Sequence, residues 1–207
     1  MRVTVLSCAL VSLSLLGCVT TPKTIPTVPI NKASVEPGTS VSRNGTKVLL
    51  EQGVLKLNGT LPAVALTDAN WQPYTFKADG KVKLVSIVPS LDTRVCEQQT
   101  HLLGEADGLD QRIERVTVSR DLPAAQKRFA LESNLNNIAY YSDYRAGAFG
   151  HAAGLLMRDS GLLARAVAVV DGQGKVRYLQ VVPDIGNLPD MERAFEVANK
   201  LVKGQAR

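Results

Sequence analysis

The sequence predicts an α/β domain with a central mixed sheet flanked by helices and an N-terminal β-hairpin, and three observations point there. β-branched apolar runs recur along the chain, most clearly at residues 81–89 and 164–170. Between them, apolar residues return every three or four positions, the helical period. The last run, residues 175–182, follows its predecessor across the short turn Asp171-Gly172-Gln173-Gly174, so an antiparallel pair closes a series in which strands otherwise alternate with helices.

Taken in order, residues 18–45 carry few large apolar side chains and run from Thr20-Thr21-Pro22 to Pro37-Gly38-Thr39-Ser40. Such a stretch cannot fill a core, so it reads as a flexible tether, with the folded domain over residues 46–207. Val48-Leu49-Leu50 and Val54-Leu55-Lys56-Leu57 flank Glu51-Gln52-Gly53, which reads as the hairpin. Residues 61–74 are turn-rich and lead to the strand at 81–89, which Pro89 ends because proline has no N–H for a ladder. The next helix opens just before Cys96 and stops at Gly108, with Val95, Leu102, Leu103 and Ala106 facing inward. A strand at 112–119 follows, then Asp121-Leu122-Pro123 opens a helix with aspartate as cap and proline in the first turn. A short strand near 138–140, a helix near 145–154, the strands at 164–170 and 175–182 and an amphipathic helix at 189–202 complete the order.

Composition narrows the function. A chain of 207 residues, 45% hydrophobic and 21% charged, suits one domain with a tail. Its net charge of +5 is scattered, with no Lys/Arg cluster interleaved with aromatics, so nucleic acid is not an expected partner. His151 has no second His or Cys at ligand spacing, so no metal is expected. Gly147, Gly150 and Gly154 follow no strand at dinucleotide-binding spacing and read as room for close helix packing, so no cofactor is expected either. Tyr140, Tyr141 and Tyr144 read as core and rim packing or as the lining of an apolar groove. His101 lies about 140° around a helix from Cys96, poorly placed as its base. Asn44-Gly45-Thr46 and Asn58-Gly59-Thr60 read as turns. With no Cys-x-x-Cys, dithiol exchange has no residues to run on.

The amino terminus carries an apolar run behind Arg2 that ends at Leu16 and is too short to span a bilayer. It closes on Leu15-Leu16-Gly17-Cys18, which resembles the bacterial lipobox. That resemblance implies a signal peptide over residues 1–17, cleavage before Cys18 and lipidation of its sulfur. The protein is then an envelope lipoprotein facing the periplasm. Val19, which is not Asp, implies the outer membrane rather than the inner one. An ordinary cleaved signal with a chance cysteine is the alternative. Several acyl chains anchor firmly, since each buried CH₂ contributes about 0.8 kcal/mol.

Chemistry concentrates at Pro89-Ser90-Leu91-Asp92-Thr93-Arg94-Val95-Cys96, a strand-to-helix junction with proline seven and threonine three positions before a cysteine. A thiolate is the nucleophilic form of cysteine. The first turn of a helix, with unpaired N–H groups and about half a positive charge, favours that form. The spacing resembles the peroxiredoxin motif Pro-x-x-x-(Thr/Ser)-x-x-Cys. Ser90-Leu91-Asp92-Thr93, Ser119-Arg120-Asp121-Leu122-Pro123, Leu135-Asn136-Asn137 and Ala164-Arg165-Ala166-Val167 are similar to the bacterial thiol peroxidases, from about Gly53 onward. The resemblance implies a thioredoxin-like fold and a peroxidase whose Cys96 attacks a hydroperoxide and becomes a sulfenic acid. It places the Thr93 hydroxyl beside the sulfur and Pro89 as a wall against water. Arg165 becomes the guanidinium that supports the thiolate and donates to the peroxide oxygens. The structural alternatives are an inert buried cysteine, a Thr93 that only caps the helix, and an Arg165 in an ordinary salt bridge.

One departure shapes the expected cycle. Most bacterial thiol peroxidases carry a resolving cysteine after an Arg-Phe pair, where this chain reads Arg128-Phe129-Ala130. With Cys8 removed and Cys18 lipidated, Cys96 is the only free thiol expected. Turnover then needs an external thiol, a thioredoxin-like reductant or a disulfide between two Cys96 residues. Hydrogen peroxide and organic or lipid hydroperoxides are the expected substrates, and relatives that pair near the active-site helix imply a homodimer. The competing function is a non-catalytic envelope lipoprotein whose thioredoxin-like domain binds a partner.

Overall fold

A computed structural model describes residues 27–205. The chain begins with the hairpin β1 (Ser40–Arg43) and β2 (Thr46–Leu49), joined by Asn44 and Gly45. Both turn residues have positive φ, 51° and 78°, which matches the twist of the flanking strands and suits Asn-Gly. After β3 (Leu66–Asp68) and β4 (Pro73–Tyr74) come β5 (Lys83–Ile87), α1 (Arg94–Gly104), β6 (Glu114–Ser119), α2 (Pro123–Glu132) and β7 (Ala139–Ser142). Then follow α3 (Ala148–Ala153), β8 (Ala166–Val170), β9 (Val176–Val181) and α4 (Met191–Gln205).

Seven strands form one mixed sheet in the order β4-β3-β7-β6-β5-β8-β9. The β5–β6 and β6–β7 pairs are parallel, while β8 runs antiparallel to both β5 and β9. Every residue of β5 and of β8 is buried, as expected for strands covered on both faces. Alternation along β5 sends Val85 and Ile87 into one core with Phe149, Leu163 and the hairpin residues Val41 and Val48. Leu84 goes to the other core, with Cys96, Leu103, Val167, Val169, Ala194 and Ala198. Cys96 thus lies between the sheet and the helices α1 and α4.

The structure moves several expected elements. The hairpin turns at Asn44-Gly45, not at Glu51-Gln52-Gly53. Residues 50–55 instead run beside the end of α3 and the segment after it, with bonds from Glu51 N to Leu156 O and from Val54 N to Ala152 O, both 2.8 Å. A Cβ on Gly53 would fall 2.0 Å from the Gly154 nitrogen, so only glycine permits that approach. The expected tether also ends sooner: from Thr27 the chain packs on the domain, Val28 is buried, and Val35 N bonds to Val181 O at 3.0 Å. Its sparse apolar residues suffice because the edge strand β9 and the 183–188 loop supply backbone partners. The turn-rich stretch 61–74 contains β3 and β4, which pair with each other, and β3 is held by β7. On α1, Leu102 faces solvent, and Gln99 and Thr100 are the buried polar members. The signal segment and Cys18 lie outside the described residues.

Candidate active site

β5 ends at Ile87, and Pro89, itself buried, turns the chain into a short loop that enters α1 at Arg94. Thr93 occupies the N-cap position but makes no side-chain cap bond. Its hydroxyl lies 3.0 Å from Cys96 Sγ and 3.0 Å from the Ser90 carbonyl oxygen, so it serves the sulfur and the loop rather than the helix end. Cys96, the third residue of α1, is fully buried among first-turn amides.

Arg165, one residue before β8, reaches the same sulfur: Nη2 donates to Cys96 Sγ at 3.4 Å. Two further bonds fix the guanidinium plane, Nη1 to Gln99 Oε1 at 2.8 Å and Nε to the Ile185 carbonyl at 2.8 Å. The side chain is 2% exposed. None of the ion pairs among the described residues includes it. Of its three partners, two are neutral oxygens and the sulfur alone can carry negative charge. The structure therefore brings Thr93, Cys96 and Arg165 together and removes both the simple cap for Thr93 and the ordinary salt bridge for Arg165.

Supporting residues complete the site. Gln99 turns its amide nitrogen to Ser86 Oγ (2.8 Å) and the Ala166 carbonyl (3.2 Å), leaving its oxygen for Arg165. Its position three residues after Cys96, on the same helix face, is a signal the sequence held. Asp121 does not cap α2, whose N-cap is Leu122. Its carboxylate accepts from Ser90 Oγ (2.6 Å), Leu91 N (2.8 Å) and Ser119 Oγ (2.7 Å), tying the loop before Cys96 to the end of β6. The Ile185 carbonyl, a backbone group, left no side-chain signal.

Beside Thr93, a cleft of about 370 Å³ opens between α1 and α2, walled in part by Leu91, Arg94, Glu97, Arg128 and Phe129. A larger cleft, about 650 Å³, lies between the β8–β9 turn and α4 and is lined by no cysteine, serine or threonine. Burial raises the phenols of Tyr140 and Tyr141, the latter also through its neighbour Tyr74, so neither serves as an acid near neutrality. Tyr141 stacks on Tyr74 at 3.6 Å between ring centroids, and Tyr144 meets Trp71 edge-on. Tyr141 packs into the opposite core, whereas Tyr140 shares the core that holds Cys96. His101 bonds to Glu105 at 2.7 Å on the outer face of α1.

Comparison with known proteins supplies the family. The Redoxin family matches residues 56–195. A thiol peroxidase of Listeria innocua is 45% identical over 123 residues, 59% of this chain and 74% of its own length. One from Halalkalibacterium halodurans is 36% identical over 160 residues, 77% of this chain and 96% of its own. The crystal structure of a peroxiredoxin-like protein from Aquifex aeolicus superposes with a TM-score of 0.73 at 34% identity, covering 82% of this chain and 99% of that one. With its thioredoxin-like sheet and its Thr93-Cys96-Arg165 cluster, the chain belongs to the bacterial thiol peroxidase family of the peroxiredoxins, oxidoreductases acting on peroxides.

Proposed function

We propose that this chain reduces hydrogen peroxide and organic or lipid hydroperoxides in a cycle built on Cys96 alone. The observation that carries the reading is the buried guanidinium of Arg165 aimed at Cys96 Sγ without a carboxylate partner. The sulfur lone pair attacks the terminal oxygen of R–O–O–H, the O–O bond breaks, and an S–O bond forms. Charge collects on the departing RO⁻, to which Arg165 donates as the bond lengthens before a proton completes the alcohol. The Thr93 hydroxyl steers the bound peroxide, and Pro89 keeps water from the pocket. Cys96 is left as a sulfenic acid. One external thiol then forms a mixed disulfide and releases water, and a second restores the Cys96 thiol and leaves as the oxidised disulfide.

The reading extends to location. Cleavage before Cys18 and its lipidation place the domain at the periplasmic side of the envelope, on the outer membrane. Nine peptide steps separate Cys18 from Thr27, where packing on the domain begins, so the reach is at most about 30 Å. A domain held that close meets bilayer hydroperoxides directly. Among the described residues, no helix is long and apolar enough to cross a membrane. Pairing of two copies belongs to the same proposal, and sedimentation at micromolar concentration tests it.

The central test is mass spectrometry of the full chain after one equivalent of hydrogen peroxide. One added oxygen on Cys96 and thiol-dependent turnover that vanishes in Cys96→Ser are expected. An unreactive thiol, or turnover that survives the substitution, overturns the reading and leaves the binding lipoprotein as the function.

A further inference from the structure

One acceptor for Arg165 is supplied from outside the helices that frame Cys96. The Ile185 carbonyl, which holds Nε at 2.8 Å, belongs to the loop between β9 and α4. That loop is held from the amino-terminal side. Ser42 N donates to the Pro183 carbonyl at 2.6 Å, and the Ser42 carbonyl accepts from Ile185 N at 3.0 Å, so Ser42 brackets the residue that fixes the arginine. In an antiparallel pair every second residue directs its backbone groups away from its partner strand, and Ser42 is such a residue of β1. Upstream, Asn31 N bonds to Leu188 O at 2.9 Å and Leu188 N to Pro29 O at 2.8 Å. Gln180 donates its amide to the Asn31 and Ala33 carbonyls at 2.6 and 2.9 Å. Residues 27–43 thus form a strap over the 180–188 segment, outside the residues that match the Redoxin family.

We infer that this strap is a positioning element of the active site, acting through Ser42 and the Ile185 carbonyl to hold Arg165 against Cys96. The inference rests on the proposed peroxidase activity. Two anchors, Gln99 Oε1 and Ile185 O, set the plane of the guanidinium so that Nη2 falls at the sulfur. With one anchor gone the plane turns about the other. The same residues that follow the proposed lipid anchor therefore set the geometry of the reacting centre.

Ser42→Pro in the full chain tests this, since proline keeps an extended backbone while deleting the N–H bond to Pro183. The readout is the rate of Cys96 oxidation by hydrogen peroxide divided by its alkylation rate with iodoacetamide. Only the peroxide reaction uses donation to a breaking O–O bond, so a purely structural role leaves that ratio unchanged. Removing an oxyanion donor costs about 10²–10³-fold, and a displaced one is expected to lower the ratio about tenfold. An internal deletion of residues 27–35, which keeps the hairpin, is expected to lower it about threefold, and it decides the matter if circular dichroism shows Ser42→Pro unfolded. Folded variants whose ratios match wild type overturn the inference alone. A wild type inert to peroxide overturns it together with the peroxidase reading.

Discussion

Replacing Arg165 with methionine separates a catalytic cation from a structural one. Methionine follows the aliphatic stem of the arginine but lacks the guanidinium group, so the bonds to Cys96 Sγ, Gln99 Oε1 and the Ile185 carbonyl all disappear. For stability two terms oppose. Two buried acceptors lose their donor at about 1–3 kcal/mol each. Against that, a cation 2% exposed no longer has to be desolvated, which recovers several kcal/mol. The sum lies near zero, so the urea midpoint is expected to move little. For the reaction nothing offsets the loss: a donor aimed at developing oxygen charge supplies about 2.7–4 kcal/mol, or about 10²–10³ in rate. The assay is quenched-flow oxidation of Cys96 by hydrogen peroxide, with the added oxygen counted by mass spectrometry, alongside urea unfolding. A large fall in stability with an unchanged oxidation rate refutes the reasoning, because it makes Arg165 a structural residue.

Thr93→Val, which keeps shape and deletes the hydroxyl 3.0 Å from the sulfur, is expected to slow peroxide oxidation about 10–100-fold, whereas Thr93→Ser stays close to wild type. Equal rates in the valine and serine variants argue against a role for that hydroxyl. Asp121→Ala strips the acceptor from Ser90 Oγ, Leu91 N and Ser119 Oγ and is expected to cost about 2–4 kcal/mol in urea unfolding, with Asp121→Asn recovering part of it. A variant as stable as wild type contradicts the pinning of the loop. Asp110, held at about 2 chiefly by its hydrogen bonds from Arg112, has a folded value below its ordinary 3.8. Its stabilisation is present above 3.8 and lost as pH falls through about 2. The gap in urea midpoint between wild type and Asp110→Asn is therefore expected to close on acidification, and a gap that widens toward pH 2 reverses the sign.

The sequence disclosed the sheet and the Thr93-Cys96-Arg165 cluster for different reasons. β5 and β8 announce themselves because strands covered on both faces must be apolar throughout, and no helix competes for such β-branched runs. Cys96 and Thr93 were legible through motif spacing and Arg165 through the family resemblance, and both fix residue types but not distances. Non-local pairing stayed hidden. Val48 to Leu57 alternates well enough for a hairpin of its own, yet its second half is satisfied by backbone at 152–157, far along the chain. Asp121 precedes proline at a helix start and so resembles a cap, but Ser90 and Leu91, about thirty residues earlier, compete for its oxygens and win. The order of residues 27–39 has the same origin, since its partners on β9 and the following loop are, apart from the Gln180 amide, backbone groups with no signature in the strap's own composition.

Two buried cations show what the site gives up for chemistry. Lys83 and Arg165, each 2% exposed, lie at opposite ends of the β5–β8 pair, whose register runs from Lys83↔Val170 to Ile87↔Ala166. Lys83 is treated as stability demands: Asp79 stands 2.5 Å and Glu114 3.4 Å from its ammonium. Arg165 receives a carbonyl, an amide and a sulfur. A carboxylate in the place of Gln99 would neutralise the guanidinium better, but it would also occupy the charge that the sulfur and the departing oxygen need. The neutral Gln99 keeps Arg165 oriented while leaving its field unspent, and Ser86 and Ala166 fix which end of that amide faces the arginine. Burial of an incompletely neutralised cation costs stability in any fold, so its persistence beside a lone cysteine is best explained by a negative charge that arrives at that sulfur during the reaction.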